Sequence, residues 1–308
     1  MWTNCGLFGA EKLRLGEGGK LEAVGEDNEG KYVQAAAQIK SLVERGECKA
    51  AKKAIEQLKK DFPEVAGREF DAYMKAEILF CEGKLDKAAR AYNNFVVEHS
   101  RSELYDAALE RQYSIATAYL HGRKKRVLKL FKIRGYAEGV RIMERVSERA
   151  GNEPLAVRAL VAIADSFEKR GKWEEAYVRW SEVSSRWPSG ETGKEALLRM
   201  AMCKHAAYRG PAYDGAPLVS ARSYYENFRL RYPEDAQRLG IDEKIKQIDE
   251  QLAYKELKTG EYYESVGKET PAKLYYQMVK DNWPTSEAAK IANEKLNQEL
   301  KSEKQGEK

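Results

Sequence analysis

This chain is poor in histidine, cysteine, proline and long apolar runs, and each shortage removes a class of function. Its 308 residues hold 3 histidines, His99, His121 and His205. None stands in a His-Glu-x-x-His or His-x-His spacing, so a metal site has no ligand cluster to start from. The 4 cysteines are Cys5, Cys48, Cys81 and Cys203, with no Cys-x-x-Cys pair among them. Neither a zinc site nor a redox motif is indicated. Buried free thiols are the plain reading, although Cys48 and Cys81 fall on neighbouring units of the pattern described below and are placed to approach one another. No apolar run reaches the length of about 18 residues that a membrane-spanning helix needs. The opening Met1-Trp2-Thr3-Asn4-Cys5 lacks the apolar core of a signal peptide. The expectation is either a cytosolic protein or a targeting segment lying outside this chain.

Catalytic motifs are missing as well. Gly16-Glu17-Gly18-Gly19-Lys20 faintly suggests a phosphate loop, but the first glycine is misplaced and Leu21 stands where Ser or Thr is required. There is no Gly-x-Ser-x-Gly, and no cysteine has the setting of a nucleophile. The carboxylates lie on lysine-rich stretches, where solvated faces and i,i+4 pairs account for them. The chain therefore reads as a protein that is not an enzyme and uses no cofactor.

What is present points to exposed helices. Charged residues make up 33% of the chain, both signs are interspersed, and only 8 prolines interrupt it, a composition unlike that of a sandwich or barrel. The net charge is a modest +5, but its distribution is uneven. His121–Gly135 carries Arg123, Lys124, Lys125, Arg126, Lys129, Lys132 and Arg134 and no acid, so the remainder is slightly acidic. A basic patch on a near-neutral body is a local feature, and no nucleic-acid partner is expected. Val127, Leu128, Leu130, Phe131 and Ile133 interleave with these cations. Such a stretch either docks its apolar side on the protein or meets an anionic membrane surface or an acidic partner.

The strongest signal is internal repetition. Four aromatic–proline steps recur, at Phe62-Pro63, Trp187-Pro188, Tyr232-Pro233 and Trp283-Pro284. Seventeen residues before three of these prolines stand Gly46, Gly171 and Gly267; Gly83 and Ala216 hold the same place before Ser100 and Pro233. Five residues after each start comes alanine: Ala51, Ala88, Ala176, Ala221 and Ala272. Nine after come Ile55, Tyr92, Trp180, Tyr225 and Tyr276, and twelve after come Leu58, Phe95, Val183, Phe228 and Val279. A weaker copy starts at Arg134 with Gly139, Met143 and Val146. Offsets 5, 9 and 12 share one face of a helix. The small residue lets a second helix approach closely, the larger two fill the groove beside it, the glycine permits a tight turn, and the proline ends the unit.

This frame resembles the tetratricopeptide (TPR) repeat, which implies an all-α, TPR-type solenoid of helical hairpins with five to six repeats. The starts lie 37 to 51 residues apart, against about 34 in a standard repeat. The excess falls in insertions near 122–133, 209–215 and 233–251, the last helical by its Ile241, Ile245, Ile248 and Leu252. The expected organisation is a mobile segment over 1–29, the solenoid over 30–300 and a disordered charged tail over 301–308. Of the tyrosine pairs Tyr224-Tyr225, Tyr262-Tyr263 and Tyr275-Tyr276, one member of each serves the core, leaving Tyr224, Tyr262 and Tyr275 as candidate contacts.

Between about Lys31 and Leu300 the chain further resembles the BamD family, lipid-anchored TPR components of the outer-membrane β-barrel assembly machine. The residues that carry this likeness are Glu69–Gly83, the insertion Tyr208-Arg209-Gly210-Pro211-Ala212-Tyr213-Asp214 followed by Pro217, Ala221 and Phe228, and Leu252–Tyr263 followed by Ala272 and Tyr276. The resemblance implies a scaffold on the periplasmic face of the outer membrane. Its partners would be the barrel-inserting BamA-like subunit and unfolded barrel precursors, with a peripheral membrane contact. The family's lipid-attachment cysteine has no match, since Cys5 follows Trp2-Thr3-Asn4. Another TPR adaptor, serving cell division or secretion in the envelope or working in the cytosol, is the alternative. The candidate partner-binding residues are Tyr208, Arg209, Tyr213 and Asp214, together with the basic Arg123, Lys124, Lys125, Arg126, Lys129 and Lys132.

Overall fold

The structure, a computed structural model, describes the backbone of residues 13–15, 21–23, 28–127 and 131–306 and the side chains of residues 30–125 and 133–298. The glycine-rich stretch 16–20 and Cys5 lie outside the described residues. The fold is built of consecutive helix pairs. They are α1 (Asn28–Glu44) with α2 (Cys48–Asp61), α3 (Arg68–Cys81) with α4 (Leu85–Glu98), α5 (Tyr105–Leu120) with α6 (Tyr136–Ala150), and α7 (Pro154–Glu168) with α8 (Trp173–Arg186). Then come α9 (Gly190–Ala207) with α10 (Ala216–Arg231), the short α11 (Pro233–Arg238), α12 (Ile241–Ser265) with α13 (Glu269–Asn282), and a closing α14 (Glu287–Gly306). Two small antiparallel ribbons accompany them: β1 (Leu13–Leu15) with β2 (Leu21–Ala23), and β3 (Lys124–Val127) with β4 (Phe131–Arg134).

The repeat register holds in all six second helices. Each buries its residues at offsets 5, 9 and 12: Ala51, Ile55 and Leu58; Ala88, Tyr92 and Phe95; Gly139, Met143 and Val146; Ala176, Trp180 and Val183; Ala221, Tyr225 and Phe228; Ala272, Tyr276 and Val279. The small residue is a steric requirement on both partners. In the last pair Gly260 of α12 faces Tyr276, and a Cβ there would lie 2.6 Å from the ring. Most turns between paired helices are Schellman closures. In the first, the Gly46 N–H donates to Val43 and the Glu47 N–H to Leu42, with Gly46 at φ +75°. The same bonds recur around Gly83, Gly171 and Gly267. Each aromatic before a helix-ending proline caps its helix by donating its N–H to the offset-12 carbonyl, as Phe62 does to Leu58 and Trp187 to Val183.

The chain divides into two compact units, Met1–Ala159 and Leu160–Lys308, the division falling inside α7. In the first unit α2 packs between α1 and α3 around Ile39, Val43, Leu58, Phe62 and Phe70. A disulfide joins Cys48, which opens α2, to Cys81, which closes α3, with Cα atoms 5.7 Å apart. This corrects the free-thiol reading for that pair. The two residues are 33 apart in sequence, and only the stacking of one hairpin on the next brings them together. Cys203 is the buried free thiol among the described residues, pushed up to about 12 by burial and the neighbouring Glu168. In the second unit one core gathers Leu197, Leu218, Phe228, Ile241, Ile245 and Ile248, and another gathers Leu257, Tyr276, Val279 and Ala292. The helical spacing of Ile241, Ile245, Ile248 and Leu252 is the buried face of α12.

Polar locks recur inside this frame. The Tyr92 hydroxyl donates to buried Glu77 at 2.7 Å, the Trp180 indole N–H to Glu168, and the Tyr276 hydroxyl to Glu264 at 2.7 Å. In each case a cation from the next first helix, or from α14, completes the group: Arg111 on Glu77, Arg199 on Glu168 and Lys295 on Glu264. One carboxylate thus joins three helices, satisfying the polar tip of the offset-9 aromatic that would otherwise be buried without a partner.

Candidate partner-binding site

Two of the six hairpins replace the tight turn with a long connection, and both connections hold the residues singled out from the sequence. Between α5 and α6 the turn begins normally, with Gly122 at φ +89° and the Arg123 N–H bonded to Ala118. The β3–β4 ribbon follows, pairing Lys124 with Arg134, Lys125 with Ile133, Arg126 with Lys132 and Val127 with Phe131. The Gly135 N–H then donates to the Arg123 carbonyl at 2.9 Å and the Gly139 N–H to Gly135, resuming the repeat. The turn glycine of this copy is therefore Gly122, and the start assigned to Arg134 belongs to the far strand of an inserted ribbon.

Of the basic residues there, Arg123 and Lys124 are exposed. Lys125 is tied down, its Nζ 2.8 Å from Glu138 and 3.9 Å from Asp86. Burial works against the Glu138 charge, but Lys125 and Arg141 outweigh it and hold its carboxyl below the usual range. The side chains of Arg126, Lys129 and Lys132, and of Val127, Leu128, Leu130 and Phe131, lie outside the described residues. Ile133 is 54% exposed.

The second long connection, residues 208–215, runs from α9 to α10. Tyr208 turns inward: it is half-buried against the core around Leu218, Ala221 and Tyr225, and its buried hydroxyl has no hydrogen-bond partner among the described residues. Burial, with Glu256 adding to it, raises that hydroxyl's pKa. The loop then reverses at Gly210, φ +118°, where the Tyr213 N–H donates to the Gly210 carbonyl at 3.0 Å. Tyr213 is left 53% exposed, with the Arg209 guanidinium 5.2 Å from its ring centroid. Asp214 accepts the N–H of Ala216, the first residue of α10, at 3.0 Å, a local turn contact two residues along the chain. Arg209, Tyr213 and Asp214 thus face outward, while Tyr208 anchors the loop.

This loop folds beside the tight turn of the preceding hairpin, and a cleft of about 610 Å³ lies between them. Trp173, Tyr213, Pro217, Ala206 and Ala207 supply its apolar walls. Trp173 opens α8 and was not singled out from the sequence. The available signal was an aromatic two residues past Gly171, off the offset 5, 9 and 12 face. A second groove, of about 490 Å³, lies between α2 and α3. Five of its charges are engaged with one another: Lys52 and Lys84 both bond Glu82, drawing its carboxyl down to about 2, and Lys59 pairs with Asp71 at 2.6 Å.

The tyrosine pairs separate as their register requires. Tyr225 and Tyr276 are core residues. Tyr224 is half-buried with its hydroxyl 2.7 Å from that of Tyr177. Tyr275 stacks on Tyr263 at 5.5 Å, and Tyr262 is left 62% exposed.

The geometry defines the class: an all-α, TPR-type solenoid of helical hairpins. No family model and no curated protein matches the sequence. Among solved structures, the chain is similar to PilW, described as a widely conserved type IV pilus biogenesis factor, at 15% identity and TM-score 0.31, over 85% of this chain and 97% of that one. It is similar to a tetratricopeptide repeat protein of Parabacteroides merdae at 11% identity and TM-score 0.35, over 85% and 96%. A human IFIT1 dimer with m7Gppp-AAAA aligns at 14% identity and TM-score 0.25, over 84% and 71%. At such low scores the chain's own hairpins, turns and buried register define its class.

Proposed function

We propose that this protein is a protein-binding scaffold of the outer-membrane β-barrel assembly machinery, acting at the periplasmic face of the outer membrane in the manner of BamD. The observation that carries the scaffold reading is the loop 208–215. Its inner residue Tyr208 is packed into the repeat core, while Arg209 and Tyr213 are held outward beside an open apolar cleft. A repeat frame that spends an insertion on presenting side chains to solvent is built to meet another molecule. The Cys48–Cys81 disulfide supports an oxidising compartment such as the periplasm. The resemblance of Glu69–Gly83, Tyr208–Asp214 and Leu252–Tyr263 to the family supports the assembly role. The basic Arg123 and Lys124 suit a peripheral contact with anionic headgroups near that membrane.

The test is a crosslinked pull-down of the tagged chain from native cell envelopes, with partners identified by mass spectrometry. Recovery of the barrel-inserting subunit is the expected result. Recovery of only inner-membrane or cytosolic partners overturns the assembly role and assigns the scaffold to another pathway.

A further inference from the structure

We infer that the cleft beside loop 208–215 binds an extended partner segment through an aromatic side chain with an acidic neighbour. The inference rests on the protein-binding reading above and names the chemistry of the partner. The cleft is of a size that holds a large side chain with its adjoining backbone, about 610 Å³. Trp173, Tyr213, Pro217, Ala206 and Ala207 are its apolar lining. Two aromatics and a proline favour a flat apolar guest by offset or edge contact, and aromatic anchors in pockets carry most of the energy of such interfaces.

Charge then selects the guest's neighbours. The lining acids Glu175 and Glu174 are occupied by the chain's own cations, Lys172 at 2.9 Å and Lys204 at 2.6 Å. Asp214 keeps its charge and holds one carboxylate oxygen on the Ala216 N–H. Arg209 is the lining cation that, among the described residues, has no carboxylate on it; it rests only on the Tyr213 ring. A guanidinium lining the cleft with open donors fits a carboxylate. An acidic side chain next to the aromatic on the Arg209 side would reach it, and a lysine at that position would face a like charge.

Fluorescein-labelled peptides, acetylated and amidated at their ends, provide the test by anisotropy with the full chain. Their centres are Glu-Phe-Glu, Lys-Phe-Lys and Glu-Ala-Glu in a Gly/Ser background. The first should bind about tenfold more tightly than either of the others. Arg209→Glu should reverse the order of the Glu-Phe-Glu and Lys-Phe-Lys peptides. Tyr213→Ala should weaken the first by about tenfold with no change in the thermal unfolding midpoint. Equal binding of all three peptides, or an order that Arg209→Glu leaves unchanged, overturns the inference. The envelope pull-down separates the two levels. If Arg209→Glu and Tyr213→Ala still recover the barrel-inserting subunit while no peptide preference exists, the cleft assignment falls and the assembly role stands. If the preference exists but that subunit is never recovered, the cleft stands and the assembly role falls.

Discussion

Arg111, on the first helix of the third hairpin, forks onto Glu77 on the first helix of the second, with Nε 2.8 Å from one carboxylate oxygen and Nη2 2.9 Å from the other. The Glu77 side chain is only 4% exposed, and the same carboxylate accepts the Tyr92 hydroxyl. Arg111→Met strands a buried charge and should lower stability by about 3–5 kcal/mol. Adding Glu77→Gln should recover part of that, because the amide oxygen still accepts from Tyr92 while the charge is gone. Denaturant unfolding of the single and double variants measures the difference.

Ala176 is fully buried where α8 meets its partner helices. Ala176→Phe should therefore destabilise the second unit by at least about 1–3 kcal/mol, through displaced neighbours. Val178, two positions along the same helix and 58% exposed, is the control: Val178→Ala should shift stability by no more than about 0.5 kcal/mol. Thermal unfolding of both variants decides whether the repeat register is as described.

The disulfide closes a long stretch of chain, its cysteines 33 residues apart. In the chain-entropy account its loss costs roughly 3–4 kcal/mol. Reductant should lower the unfolding midpoint of the wild-type protein and leave a Cys48→Ser, Cys81→Ser variant unmoved. Mass spectrometry under non-reducing conditions should show the bond directly.

His205 carries a pH dependence. Burial holds its imidazole below the ordinary value, with the hydrogen bond to Gln251 at 2.9 Å acting the other way and Lys244 adding to the depression. Below about pH 6.5 the unfolded chain takes up a proton that the folded protein refuses, so the contribution of this residue falls as pH drops through that value. Above it, neither state is protonated and the contribution is level. His205→Gln should remove that part of the slope, seen in unfolding midpoints measured from pH 7.5 down to about 5.

Much of this architecture was legible in the sequence. An offset of 5, 9 and 12 residues places side chains on one helical face whatever the helix packs against, so the buried set from Ala51 to Val279 follows from local geometry alone. Gly46, Gly83, Gly171 and Gly267 marked turns because a left-handed residue closes the helix end there. The segment 122–134 was less legible. Alternating Lys and apolar residues suit both an amphipathic helix and a strand, and the frame placed the turn at Arg134. The β3–β4 pairing and the Gly135–Arg123 bond that closes it show that a ribbon has been inserted into an otherwise ordinary turn.

The amino-acid sequence by itself determined the helices, their buried faces, the repeat and the loop that interrupts it, because periodicity and turn chemistry act over a few residues. The tertiary structure alone decided the rest. It joined Cys48 to Cys81, set Arg111, Arg199 and Lys295 on the carboxylates of preceding helices, and turned Tyr208 inward. It also brought Trp173 beside Tyr213 and left Arg209, among the described residues, without a carboxylate. The disulfide and the three ion pairs depend on how one helix pair stacks on the next, a geometry that spans 30 or more residues of chain and leaves no local period to read.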